Sequence, residues 1–134
     1  MSIGTYGSLV FEVGGTEDRP TILTPRNLKT SASAKWAYHE PLGGKPWSEY
    51  LRPELRKASF EIMLSVQFGQ RPRQALEELE RMAEEGFADY LTIGGKPLTE
   101  NKWKLLSVSD SWGQTFAGGE LINATARLEL EEYV

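Results

Sequence analysis

Ala58-Ser59-Phe60-Glu61-Ile62-Met63-Leu64-Ser65-Val66-Gln67-Phe68 alternates over eleven positions. Ala58, Phe60, Ile62, Leu64, Val66 and Phe68 share one parity, against Ser59, Glu61, Met63, Ser65 and Gln67 on the other. Successive strand residues point to opposite sides, so this pattern predicts a long strand over 58–68 with one dry and one wet face.

Directly after it the period changes. Ala75, Leu76, Leu79, Met82 and Ala83 form a stripe at helical spacing, while Arg73, Glu77, Arg81 and Glu85 stand four apart on another face. Pro72 suits a first helical turn and Gly86 the position just past the end, so a helix is expected over 72–86. No Ser, Thr, Asp or Asn stands at the cap position, and Glu84 and Glu85 oppose the helix dipole. Packing rather than local signals must therefore hold this helix.

The remaining patterned segments all read as strands. They are 7–13 (Leu9, Phe11 and Val13 on one face), 32–38 (Ala32, Ala34, Trp36, Tyr38), a short strand at 88–93, 103–112 through Leu106, Val108 and Trp112, and 121–130 with Ile122, Ala124, Ala126, Leu128 and Leu130 inward. Gly94-Gly95-Lys96-Pro97 and Gly118-Gly119 supply turns. Residues 14–31 and 39–56, rich in Gly, Pro, Thr, Lys and Arg, show no period and read as two long loops, the kind that carry partner contacts. The expected fold is α+β: an antiparallel β-sandwich or partly open barrel of about six strands, with the 72–86 helix packed on one face.

Composition narrows the function classes. With 134 residues the chain makes one domain, 1–134, and 40% apolar against 25% charged residues is ordinary for a globular protein. The absence of cysteine excludes disulfides, iron–sulfur clusters and thiolate zinc sites. No apolar run approaches the roughly 18–20 residues that span a bilayer, and residues 1–20 lack a secretory pattern, so no membrane partner and a cytoplasmic site of synthesis are expected. A net charge of -4 disfavours unspecific nucleic-acid binding.

Motifs that might carry chemistry have simpler readings. Gly43-Gly44-Lys45-Pro46 and Gly94-Gly95-Lys96-Pro97 superficially suggest phosphate loops, but each Pro removes an N–H where an anion would need one, which leaves turn chemistry. His39 is the only histidine, and a strand neighbour such as Glu40 points to the opposite face, so neither a metal site nor a triad is expected. The nineteen carboxylates fall mainly on the solvated helix face or at outward strand positions, where none is buried enough to serve as a catalytic acid. No enzyme activity and no cofactor are expected. Trp36 and Trp103 sit in strand patterns and read as core. Trp47 and Tyr50 lie in Pro46-Trp47-Ser48-Glu49-Tyr50-Leu51, where nothing nearby could cover them, and exposed aromatics of that kind anchor interfaces.

In order along the chain, these features resemble the phage tail protein U (GpU) family of contractile-tailed bacteriophages and prophage elements. The resemblance starts with Ile3-Gly4-x-Tyr6-Gly7-x-Leu9-Val10-Phe11-Glu12-Val13, Ala34-Lys35-Trp36-Ala37-x-His39 and Gly43-Gly44-Lys45-Pro46. It continues through Phe60-Glu61-Ile62-x-Leu64, the Pro72 helix with Leu76, Leu79 and Met82, Leu91-x-Ile93-Gly94-Gly95 and Ser111-Trp112, and closes with Leu128-x-Leu130-x-Glu132-Tyr133. Arg52-Pro53 and the Thr99–Lys102 extension depart from the family pattern, both in connections. The resemblance implies a virion component, assembled in the bacterial cytoplasm and needed for tail assembly. It suggests a ring-forming adaptor near the junction of inner tube and baseplate hub, with itself and tube, hub and baseplate subunits as partners. A cell-wall glycan-binding module and a tail assembly chaperone or terminator are the alternatives. Tyr6, Trp47, Tyr50, Leu51 and Tyr133 lie outside the periodic core faces and are the expected subunit contacts.

Overall fold

The computed structural model describes residues 2–7, 9–15, 20–68, 71–113, 119 and 122–134. Its centre is the strand announced by the eleven-residue alternation. It runs as β7, Lys57–Ser65, and gives way to a short 3-10 turn at Val66–Phe68. On β7, Ala58, Phe60, Ile62 and Leu64 are buried, while Met63 on the opposite parity is exposed. The last strand, β12 (Asn123–Tyr133), pairs antiparallel with the whole length of β7, from Asn123 opposite Ser65 to Glu131 opposite Lys57. Its Ala124, Ala126, Leu128 and Leu130 are buried on the face that β7 also buries.

Around this pair stand β4 (Arg26–Ser31), β11 (Lys102–Trp112) and β8 (Ala88–Asp89), in the order β4-β7-β12-β11-β8. A second five-stranded sheet has the order β10-β9-β1-β2-β3, from Lys96–Pro97, Leu91–Ile93, Ser2–Tyr6, Leu9–Gly15 and Pro20–Leu23. It covers part of the dry face: Phe11 of β2 meets Phe60 of β7 edge-on at 5.5 Å, and the buried Tyr6 hydroxyl of β1 donates to the Trp103 carbonyl of β11 at 3.0 Å. Helix α1, Pro72–Glu84, covers the rest and contributes Leu76, Leu79 and Met82 to the same core. Two antiparallel open sheets and one helix realise the expected α+β class.

Helix α1 ends as its sequence predicted, two residues earlier than 86. Gly86 takes φ 74°, the Gly86 N–H donates to the Ala83 carbonyl at 3.3 Å, and the Phe87 N–H reaches the Met82 carbonyl at 3.0 Å. That is a left-handed glycine cap with its paired reversed bonds. Arg71 at the other end makes no side-chain cap, so packing does hold the helix start.

Elsewhere the structure corrects the reading. There are twelve strands among the described residues rather than about six, because many are only two to six residues long. The expected loop 14–31 contains β3 and β4, and the expected loop 39–56 contains β6, Trp47–Pro53. Gly119 has a positive φ of 87°, while Gly118 of the expected turn lies outside the described residues. Trp103 is core, as expected; Trp36 is half exposed and is not.

Candidate assembly surface

Strand β5, Ala34–His39, pairs antiparallel with β6 in a two-stranded sheet that joins neither larger one. This hairpin is the connection between β4 and β7. Ser31 pairs with Lys57, the Glu54 N–H donates to the Ser33 carbonyl at 2.9 Å, and Ala34 pairs with Pro53. One long ribbon therefore starts at the edge of the β4–β7–β12–β11 sheet and carries on past its end. Six residues at about 3.3 Å each take the arm roughly 20 Å outward. Its tip turns at Glu40–Pro46, where Gly43 has φ 76°.

The arm's own chemistry is aromatic. Trp36 lies opposite Tyr50, their rings edge-on at 5.4 Å. His39 lies opposite Trp47, stacked at 4.1 Å, and its Nε2 pairs with Glu49 Oε2 at 2.9 Å. Such cross-strand pairs are worth a few tenths to about 1 kcal/mol each and hold the side chains in fixed directions. Among the described residues, however, nothing buries them. Trp36, Trp47, Tyr50 and Leu51 are each about half exposed, Tyr38 is 71% exposed, and Leu42 at the tip is fully exposed. By alternation Trp36, Tyr38 and Tyr50 share one face of the ribbon while His39 and Trp47 share the other, so each face carries an exposed indole, and Leu51 is the extra residue at the bulge between them.

The arm's base is fixed to the body. Glu132 of β12 accepts the Arg56 backbone N–H and the Asn101 side-chain amide, both at 2.9 Å, and its own N–H donates to the Arg56 carbonyl at 2.9 Å. The Asn101 bond, seconded by the Arg56 N–H, holds the Glu132 carboxyl below the usual carboxylate range. Beside it, Lys104 and Glu131 pair at 3.0 Å.

Of the expected contact residues, Trp47, Tyr50 and Leu51 come together on the arm. Tyr133, exposed, lies opposite Lys102 at the end of the sheet from which the arm projects. Tyr6 is corrected: it has no exposed surface, and burial raises its hydroxyl pKa well above the ordinary tyrosine range. Gly4 and Gly7 are what admit it. A Cβ on Gly4 would strike the Thr92 carbonyl, and one on Gly7, which has φ 59°, would strike the Phe87 ring. Phe87 in turn meets Tyr6 edge-on at 5.4 Å. Missed altogether were Trp36, Tyr38 and Leu42 as arm residues, although Trp36 and Tyr38 stand in the same alternation that suggested core.

His39 meets Glu49 across the ribbon rather than its neighbour Glu40. Among the described residues no group of three or more His, Asp or Glu side chains is arranged to hold a metal, and no helix is long and apolar enough to cross a membrane.

No curated protein sequence matches the chain at a significant level. A family model does, described as Phage P2 GpU and matched over residues 8–134. The match runs through both sheets, the arm and the helix. With nearly its whole length covered, the chain belongs to the Phage P2 GpU family.

Proposed function

We propose that the protein works by association, as a ring-forming adaptor near the junction of inner tube and baseplate hub in a contractile phage or phage-derived tail. Membership of the GpU family carries the coarser statement, a structural or assembly part in a phage tail. The arm carries the finer one. An isolated two-stranded hairpin is marginal in water, and this one exposes aromatic side chains on both faces at a fixed reach from the body. Exposed apolar patches of this kind mark sites that other proteins cover. Among the described residues the subunit places nothing of its own there, which supports neighbouring copies and the tube, hub or baseplate subunits as the occupants.

The arm is a poor sugar platform, because His39 already stacks on one face of Trp47. Purified peptidoglycan should therefore leave the protein in the supernatant. The test of the main reading is Trp47→Ala with Tyr50→Ala in a phage that supplies no other copy. The variant protein is expected to fold while assembled tails and infectivity fall by at least tenfold. Normal tails containing the double variant would refute the reading.

A further inference from the structure

The sheet β4-β7-β12-β11-β8 has two kinds of strand. Along β7 and β12, buried and exposed residues alternate. On β4 every residue but Leu28 is exposed, and on β11 every residue from Leu106 to Trp112 is exposed except the half-buried Val108. These are also the strands whose outer edges are largely unpaired. Strand β8 covers β11 only at Trp103 and Lys104, and the Leu105 N–H goes to the Phe87 carbonyl. Beyond that point the outer edge of β11 has no main-chain partner among the described residues. On β4 the outer edge has none either, since β4 pairs with β7 alone. A row of unpaired N–H and C=O groups is a template for another strand.

These two edges suit each other. Each step β4 to β7, β7 to β12 and β12 to β11 reverses the chain, so β4 and β11 run in opposite directions. A second copy related by rotation about an axis along the strands would lay its β11 beside β4 of the first, antiparallel like every other junction in the sheet. The lengths agree, with six residues in β4 and seven in Leu106–Trp112. The charges do not oppose the match: β4 carries Arg26 and Lys29, whereas Leu105–Trp112 carries no cation, and its one acidic residue, Asp110, lies on the opposite face of the sheet through its pairing with Ala126. Pairing two β4 edges would instead set Arg26 and Lys29 against their own copies, which like-charge repulsion disfavours.

We propose that this sheet continues from one copy to the next, β4 of one subunit adding antiparallel to Leu106–Trp112 of β11 in its neighbour. The inference rests on the reading that the protein self-associates, and adds which edges meet. Two different edges make a head-to-tail contact, and such contacts close into rings when the rotation allows.

The cysteine-free chain makes the test clean. Lys29 and Ser31 on β4, and Ser107, Ser109 and Ser111 on β11, are exposed positions, and by their pairing with Ser59, Lys57, Glu129, Arg127 and Thr125 they share the wet face. Antiparallel neighbours about 4.5–5.5 Å apart at Cα are within disulfide reach. Single variants such as Lys29→Cys and Ser109→Cys, covering these five positions, are purified, mixed in all six β4–β11 combinations and oxidised. Double variants in the same combinations are examined in purified tails on non-reducing gels. At least one mixture is expected to give a dimer that needs both variants, and the matching double variant a ladder of multimers in tails, lost on reduction.

Tails that contain the protein but show no ladder for any pair would overturn the edge pairing and leave the adaptor reading standing, as would dimers formed by a β11 variant alone. Absence from tails together with a mixed dimer in solution would do the reverse. Absence from tails with no mixed dimer would overturn both.

Discussion

The β7–β12 pair and the β5–β6 arm are built alike and used differently. Both are antiparallel ribbons, β5 alternates in sequence as β7 and β12 do, and the two regions share a chain, since β6 runs on into β7 through Glu54–Arg56. On β7 and β12 the apolar parity is covered by α1 and by the other sheet, and Phe60, Ile62, Leu128 and Leu130 are almost wholly buried. On the arm the aromatic residues reach no such cover among the described residues. Apolar alternation therefore specifies a strand in both places, while what covers its dry face is set by topology. In the body that cover is the chain itself; on the arm the described residues supply none.

The largest effect that separates the two regions is expected in the body. Trp103→Ala removes a side chain with no exposed surface and should cost about 3–5 kcal/mol. Urea unfolding followed by circular dichroism would measure it, and a loss below about 1 kcal/mol would mean that the core is not where we place it.

Next comes the joint between the regions. Glu132→Gln should cost on the order of 1 kcal/mol at neutral pH, because a charged acceptor of two hydrogen bonds becomes a neutral one. Its pH dependence has a definite sign. The folded-state pKa of Glu132 lies below its ordinary value of 4.5, so this stabilisation is fully present above that pH. It is lost as the pH falls through the lower, folded-state value. The stability gap between wild type and Glu132→Gln should thus shrink below about pH 4.5, and a gap that widened on acidification would contradict the assignment.

The smallest effect on stability belongs to the arm. Trp36→Ala, alone or with Tyr50→Ala, removes a cross-strand aromatic pair from an already exposed ribbon and should shift the free subunit by less than about 1 kcal/mol. The same change should nonetheless reduce incorporation into tails severalfold. A core-sized loss of stability would place Trp36 back among the buried residues.

How legible the fold was in the sequence follows the same division. β7, β12 and α1 could be read because each buries one face and so prints its period. β4 offers only Leu28 as an apolar residue, and β6 mixes Trp47, Tyr50 and Leu51 with Arg52 and Pro53, so neither showed a period and both passed for loop. Trp36 reads as core because Ala34, Trp36 and Tyr38 alternate as a core strand does. Tyr6 lies outside the periodic core faces of the sequence, yet the glycines near it mark close approach of the backbone to Thr92 and of Phe87 to the chain, not exposure. Trp47, Tyr50 and Leu51 stand out because they lie in a stretch without period where nothing nearby in sequence could cover them. The register of the arm and the free edges of the sheet are products of long-range pairing, which local period does not carry.

Oxidative footprinting of the tryptophans, compared between the free subunit and purified tails, tests most directly whether the arm is an assembly surface. Trp36 and Trp47 should react readily in the free protein and become at least fivefold protected in tails, with Trp103 inert in both. Equal reactivity of Trp36 and Trp47 in the two states would show that nothing covers the arm, and the assignment of its aromatic residues to subunit contact would be wrong.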